Sequence, residues 1–283
     1  MFTRQKILLT LLQFADRPVS RMELTKWSFV LKNESCCRGG DSFYDFLPYH
    51  YGPFSFSLYQ EMDKLVAQGY AAQGDDSHWL PGKTALPALE KNLSQEVRGI
   101  VQRLKNRTID NLLDEIYAKF PEYTVNSKYH RLESRKVAVP AVYTSGYEGM
   151  SIDGFLNRLI TTGIKHLIDV RRNPIARRYG FHRSTLKRLC ESLDIAYTHL
   201  PELGIPSEMR QSLDTQDDYD SLFALYRKST LLDEKRAVER VSELVRESPS
   251  VLVCMEAQPK CCHRSHLAVD VSKRTKLKVD HLI

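Results

Sequence analysis

No apolar run in this 283-residue chain reaches the roughly 20 residues that a membrane-crossing helix needs, so no membrane partner is expected. The opening stretch MFTRQKILLTLLQFADRP is basic and then apolar, but no small-residue cleavage site follows it. Its apolar residues are spaced like one face of a helix, which argues against a signal peptide. Cysteine is scarce for a disulfide framework: there are six, and two pairs are adjacent in sequence. The expectation is a reducing, cytoplasmic compartment. Internal repeats and low-complexity tracts are missing too. What is present, 42% hydrophobic and 27% charged residues, is the balance of a globular protein.

The first part reads as helices and a hairpin. Ile7, Leu8, Leu11 and Leu12 share a helix face. Ser20 and Glu23 form a capping-box pattern ahead of a helix carrying Leu24, Trp27 and Leu31. A loop with Gly39-Gly40 follows, then a third helix with Leu58, Met62, Leu65 and Val66, stopped at Gly69. Two short strands are expected about Gly74-Asp75-Asp76. The order is that of a winged helix. The piece YGPFSFSLYQEMDKLVAQGYA resembles the winged-helix-like module of antitoxin-type and phage-associated proteins. Its would-be recognition helix has Lys64 as its one basic residue, a poor composition for reading a major groove. DNA contact and a protein partner through this domain both stay open. Two more amphipathic helices follow, with Ser94 and Thr108 as N-cap candidates.

From Pro121 the chain turns polar, and residues 121–137 are assigned as a linker between a helical domain, 1–120, and a second domain, 138–283. There apolar runs alternate with amphipathic segments, the pattern of an α/β domain with a mostly parallel sheet and flanking helices. In such sheets the ligand crevice lies beyond the strand carboxyl ends. Polar clusters fall at those places: Ser145 to Gly149, Asp169 to Asn173, His199 to Gly204, and Glu256 with Cys262, His263 and Arg264.

Each cluster has a chemical reading. A helix starting near Cys262 would turn free N–H groups and a positive dipole end to the crevice, and Arg264 and His263 would add donors for an anion. The same dipole would acidify Cys262, a candidate nucleophile. No CxxC pair stands nearby, so no metal is expected; Cys254, on a strand, reads as packing. Asp169 either ties its loop to a neighbouring arginine or joins Glu256 as the acid/base pair of the crevice. Arg171 and Arg172 would clamp an anion in both cases. Tyr147, after Gly146, either stacks on a ligand or closes the core. From Arg171 to Arg188 there are seven basic residues and no acid, within a net charge of +6; Arg177, Arg178, Arg183, Lys187 and Arg188 then form a nucleic-acid surface.

The pieces YTSGYEG, LIDVRRNP, YGFHRSTLKRLCESLDIAYTHLPELG and LVCMEAQPKCCHR resemble the DUF488 family of small α/β proteins over about residues 140–283. Cys261 is an extra cysteine relative to that family's pattern. The resemblance implies the α/β fold and brings no reaction with it. The residues themselves favour an enzyme acting on a nucleotide or nucleic acid, without a cofactor. The alternative is a DNA- or partner-binding regulator whose α/β domain senses an anionic ligand.

Overall fold

A computed structural model describes residues 1–74, 77–86, 88–210 and 213–283. Asp75 and Asp76 of the expected hairpin turn lie outside the described residues. The chain divides into two compact units, Met1–Ser134 and Arg135–Ile283.

The first unit contains the expected three helices and hairpin: α1 (Thr3–Ala15), β1 (Val19–Ser20), α2 (Arg21–Glu34), β2 (Leu47–Tyr49), β3 (Gly52–Phe54), α3 (Phe56–Ala67), β4 (Ala71–Gln73) and β5 (His78–Pro81). The Ser20–Glu23 capping box forms in both directions. The short β1 pairs with β5, making an antiparallel sheet of order β1-β5-β4, while β2 and β3 pair separately. Helices α4 (Lys91–Leu104) and α5 (Ile109–Lys119) close the core. Thr108 caps α5 as expected, but α4 begins three residues before Ser94, which lies inside it.

The stretch assigned as linker is not a free connector over most of its length. A 3-10 turn spans Pro121–Thr124, and the Tyr123 ring packs edge-on against Phe29 at 4.8 Å. Thr124 Oγ1 accepts from the amides of Leu132 and Glu133, and the Lys128 amide donates to His50 O. Its polar residues are thus used to tie backbone, which is why composition alone made it look unattached.

The second unit is an open, wholly parallel sheet. Its strands and helices are β6 (Val142–Gly146), α6 (Ile152–Thr162), β7 (His166–Asp169), α7 (Arg183–Glu191), β8 (Ala196–His199), α8 (Gln216–Lys228), α9 (Thr230–Asp233), α10 (Lys235–Glu247), β9 (Ser250–Cys254), α11 (His263–Thr275) and β10 (Val279–Leu282). Strand order is β10-β6-β9-β7-β8. Strands β6, β7 and β9 are buried along their whole length, as their near-continuous apolar runs require. One face, with Val142, Ile168, Val170 and Leu252, packs on residues of α8, α10 and α11. The other receives Phe155 of α6, whose ring meets Tyr147 and Phe181. The neighbouring strands β6 and β9 therefore send their next helices to opposite faces, which makes their carboxyl ends the switch point of the sheet.

Candidate functional site

Alternation along the strands sorts the carboxyl-edge residues into two clusters. Asp169 is in register with Val253 and leaves the sheet on the same face as it; Cys254, one residue on, leaves on the other. The expectation that Asp169, Arg171, Glu256 and Arg264 line one crevice is corrected by this register. Asp169 and Glu256 share an edge of the sheet, but no hydrogen-bond partner joins them among the described residues.

The first cluster is a buried ion pair. Asp169 is fully buried and accepts from Arg171 Nε at 2.8 Å, Arg171 Nη2 at 2.6 Å and the Tyr197 hydroxyl at 2.6 Å. Arg171 Nη1 donates to the Tyr147 hydroxyl and to Phe181 O, both at 2.8 Å. Burial opposes the charge of Arg171, yet hydrogen bonding to Asp169 and its negative charge carry the pKa above the ordinary value. Burial, with Asp169 second, pushes the Tyr197 hydroxyl well up. Of the two readings of Asp169, loop tie and acid/base partner, the geometry builds the tie. Tyr147 closes the core: it is 7% exposed and stacks on Phe181 with centroids 4.1 Å apart. Arg171 therefore spends its donors inside the protein, where the sequence placed it on an anion.

Arg264 has a similar fate. It is 1% exposed, its Nη1 donates to Glu256 O and its Nη2 donates to Ala257 O at 3.1 Å. The loop after β9 is further held by Glu148, whose carboxylate accepts from the Ala257 amide, and by Met255 O, which accepts from the amides of Tyr147 and Glu148. Gly146 lets this happen: a Cβ there would stand 1.9 Å from Glu256 O. The switch-point loops are thus stitched together.

The second cluster lies on the face of α8, α10 and α11. Cys254 ends β9, Cys262 is the N-cap residue of α11 and His263 is its first residue, the helix start expected from the sequence. The thiols of Cys254 and Cys262 each donate to Glu256 Oε2 at 3.0 Å. Glu256 Oε1 accepts from Arg210 Nη1 at 2.9 Å. His263 is 1% exposed, with Nε2 at 3.0 Å from Val170 O. A carbonyl only accepts, so Nε2 carries the proton and a neutral ring turns the lone pair of Nδ1 towards Cys254 Sγ, 3.9 Å away, and Arg210 Nη2, 3.3 Å away. A cavity of about 40 Å³ opens on Arg210, Glu256, Cys261 and His263, with Tyr219 and Phe223 among its apolar walls. Its size suits a few small atoms or a water or two and leaves no room for a nucleobase.

Burial and mutual charge shift the ionisation of every group in this cluster. Burial, then the neighbouring Cys254 charge, raises the Glu256 carboxyl. The Cys262 thiol, and after it His263, pull Cys254 well below the usual thiol range, while burial pushes Cys262 well up. Burial lowers His263, but the Cys254 charge outweighs it and the imidazole ends above its ordinary value.

Sequence reading brought Glu256, Cys262 and His263 together here. It missed Cys254, taken as packing, and Arg210, which follows a 3-10 turn at Ser207–Met209 in a loop with no periodic signal. The spacing Cys254, Glu256, Cys262, His263 around a strand end and a helix start is the signal that could have found Cys254. The basic residues Arg172, Arg177, Arg178, Arg183, Lys187 and Arg188 are exposed, unlike Arg171. Arg172 and Arg178 reach the carbonyls of Pro201 and Gly149 at 3.4 Å, and Lys187 lies 3.8 Å from Glu191 on the same helix.

This is an open parallel α/β domain with a titratable cluster at its carboxyl edge. The family described as Domain of unknown function DUF488 matches residues 151–269, inside the second unit. The resemblance seen in the sequence holds over that span, which begins just after the TSGYEG piece. No curated protein and no solved structure matches the chain.

Proposed function

We propose that the chain is an enzyme acting on a nucleic acid or nucleotide, with binding and chemistry assigned to different parts of the second unit. The observation that carries this reading is the run from Arg172 to Arg188, six exposed basic side chains and no acid, leaving the same carboxyl edge as the Cys254–Glu256–Cys262–His263 cluster. Such a run suits phosphates, since each neutralised phosphate releases counterions. The cluster supplies thiol, carboxyl and imidazole groups side by side, with Arg210, paired to Glu256 at 2.9 Å, lining the same cavity. The cavity admits only a small part of a substrate, such as a leaving group or an attacking water. The first unit, with the helix order of a winged-helix-like module, would bring the chain to DNA or to a protein partner.

The test has a binding arm and a turnover arm. Labelled DNA, RNA and nucleotides are titrated by anisotropy across a salt series, and products are followed for the wild type and Glu256→Gln. We expect affinity to fall steeply with salt, and Arg183→Glu/Lys187→Glu/Arg188→Glu to flatten the slope by about 0.7–0.9 for each phosphate that the variant no longer neutralises. Glu256→Gln is expected to bind normally and to abolish turnover. Salt-independent binding, or no binding at all, would sink the nucleic-acid reading. Equal turnover by Glu256→Gln would remove the cluster from the chemistry.

A further inference from the structure

We propose that Cys254, Cys262 and His263 bind a zinc ion through their two sulfurs and Nδ1, with the fourth coordination position open beside Glu256. The three ligand atoms lie within 4.8 Å of one another and all three residues are buried. Tetrahedral zinc, with bonds of about 2.3 Å to sulfur and 2.0–2.1 Å to nitrogen, holds its ligand atoms roughly 3.5–3.8 Å apart. The Cys254 Sγ to His263 Nδ1 separation of 3.9 Å is close to that.

Three independent features favour a metal over an accidental cluster. First, His263 donates Nε2–H to Val170 O, the outer contact that metal-binding histidines commonly make. It leaves Nδ1 unprotonated and aimed at the thiols before any ion arrives. Second, the ligands come from rigid places: the last residue of β9, the N-cap of α11 and the first residue of α11. The helix N-terminus favours Cys262 as a thiolate once an ion binds. Third, charge balances. Two thiolates match one divalent ion, and Glu256 is already matched by Arg210 at 2.9 Å. No net charge is left around three buried ligands, which is the condition for burying ions at all. Soft sulfur with imidazole selects zinc over the hard oxygen-seeking cations. Binding releases the two thiol protons and replaces the 3.3 Å approach of Arg210 Nη2 to Nδ1. Glu256 Oε2, 3.0 Å from both sulfurs, then faces the open position, where it could hold a metal-bound water.

Zinc binding does not depend on the chain being an enzyme, so metal content is measured apart from turnover. The full chain is purified under reducing conditions, stripped with chelator and reloaded with zinc or Co²⁺. We expect one zinc per chain by atomic emission. Co²⁺ should give an intense sulfur-to-cobalt charge-transfer band and tetrahedral d–d bands. Cys254→Ser and Cys262→Ser should lose most of the metal and the band, while Cys36→Ser and Cys261→Ser should keep both. The cobalt spectrum of the wild type decides even where a variant fails to fold. A reduced, folded wild type that takes up no stoichiometric metal, or metal retained in a Cys254→Ser/Cys262→Ser double variant, overturns the proposal.

Discussion

At the scale of single residues, the second unit shows how much a buried charge depends on its partner. Asp169 and Arg171 are 0% and 6% exposed, and they share two charge-assisted hydrogen bonds of 2.6 and 2.8 Å. Arg171→Met removes the counter-charge and leaves a carboxylate in the core. The expected loss is about 3–5 kcal/mol, far above the value of the pair itself, because the penalty is that of the orphaned ion. Replacing both, Asp169→Leu with Arg171→Met, should cost less than the sum of the single changes. Urea unfolding of the three variants checks this. A single-variant loss under about 1 kcal/mol would mean that water reaches Asp169 and that the pair is not the tie it looks to be.

At the scale of elements, α2 in the first unit carries a comparable device. Lys26 is 2% exposed in mid-helix, and its Nζ donates to Tyr51 O and to Pro53 O, clamping α2 to the β2–β3 hairpin. Burial pulls the ammonium down to about 7. The unfolded chain then holds this proton between about pH 7 and the ordinary lysine value while the folded chain releases it, so stability rises with pH over that window. Lys26→Met should flatten the rise. Between about pH 7 and 9 the wild type should gain on the order of 2 kcal/mol relative to the variant, read from denaturant midpoints. A parallel pH profile for both proteins would show that the two carbonyls keep Lys26 charged. Such elements show what sequence could and could not disclose. The change from helical to strand rhythm after Val137 made the parallel sheet legible, and the Ser20–Glu23 and Thr108 caps made the starts of α2 and α5 legible. Which face Asp169 and Cys254 take was not legible. It depends on strand register, and a shift by one residue exchanges the faces. The pairing of β7 with β9, distant in sequence, sets that register. Lys26 reads as an ordinary polar residue of an amphipathic helix because its acceptors come from a hairpin 25 residues on.

At the scale of the whole molecule, the junction is narrower than composition suggested. The last ties of the first unit are the Leu132 and Glu133 amides on Thr124 Oγ1. The first ties of the second are Arg135 Nη1 to Leu193 O at 2.6 Å and Nη2 to Ile164 O at 3.0 Å, followed by the Ala138 amide on Gly163 O. Between these lie Ser134, Lys136 and Val137, all exposed. Protease sites follow local unfolding, and a segment held by few buried contacts opens at least cost. Trypsin should therefore cut first at Lys136, ahead of Arg131 and of the arginines on the basic face of the second unit, and leave two resistant fragments. Each unit has its own buried core, so residues 1–134 and 135–283 made separately should each unfold cooperatively by circular dichroism. Early cleavage inside 140–283, or a 135–283 fragment without a cooperative transition, would mean that the α/β unit needs the first to fold, and the boundary at Ser134 would then mark a hinge in one domain.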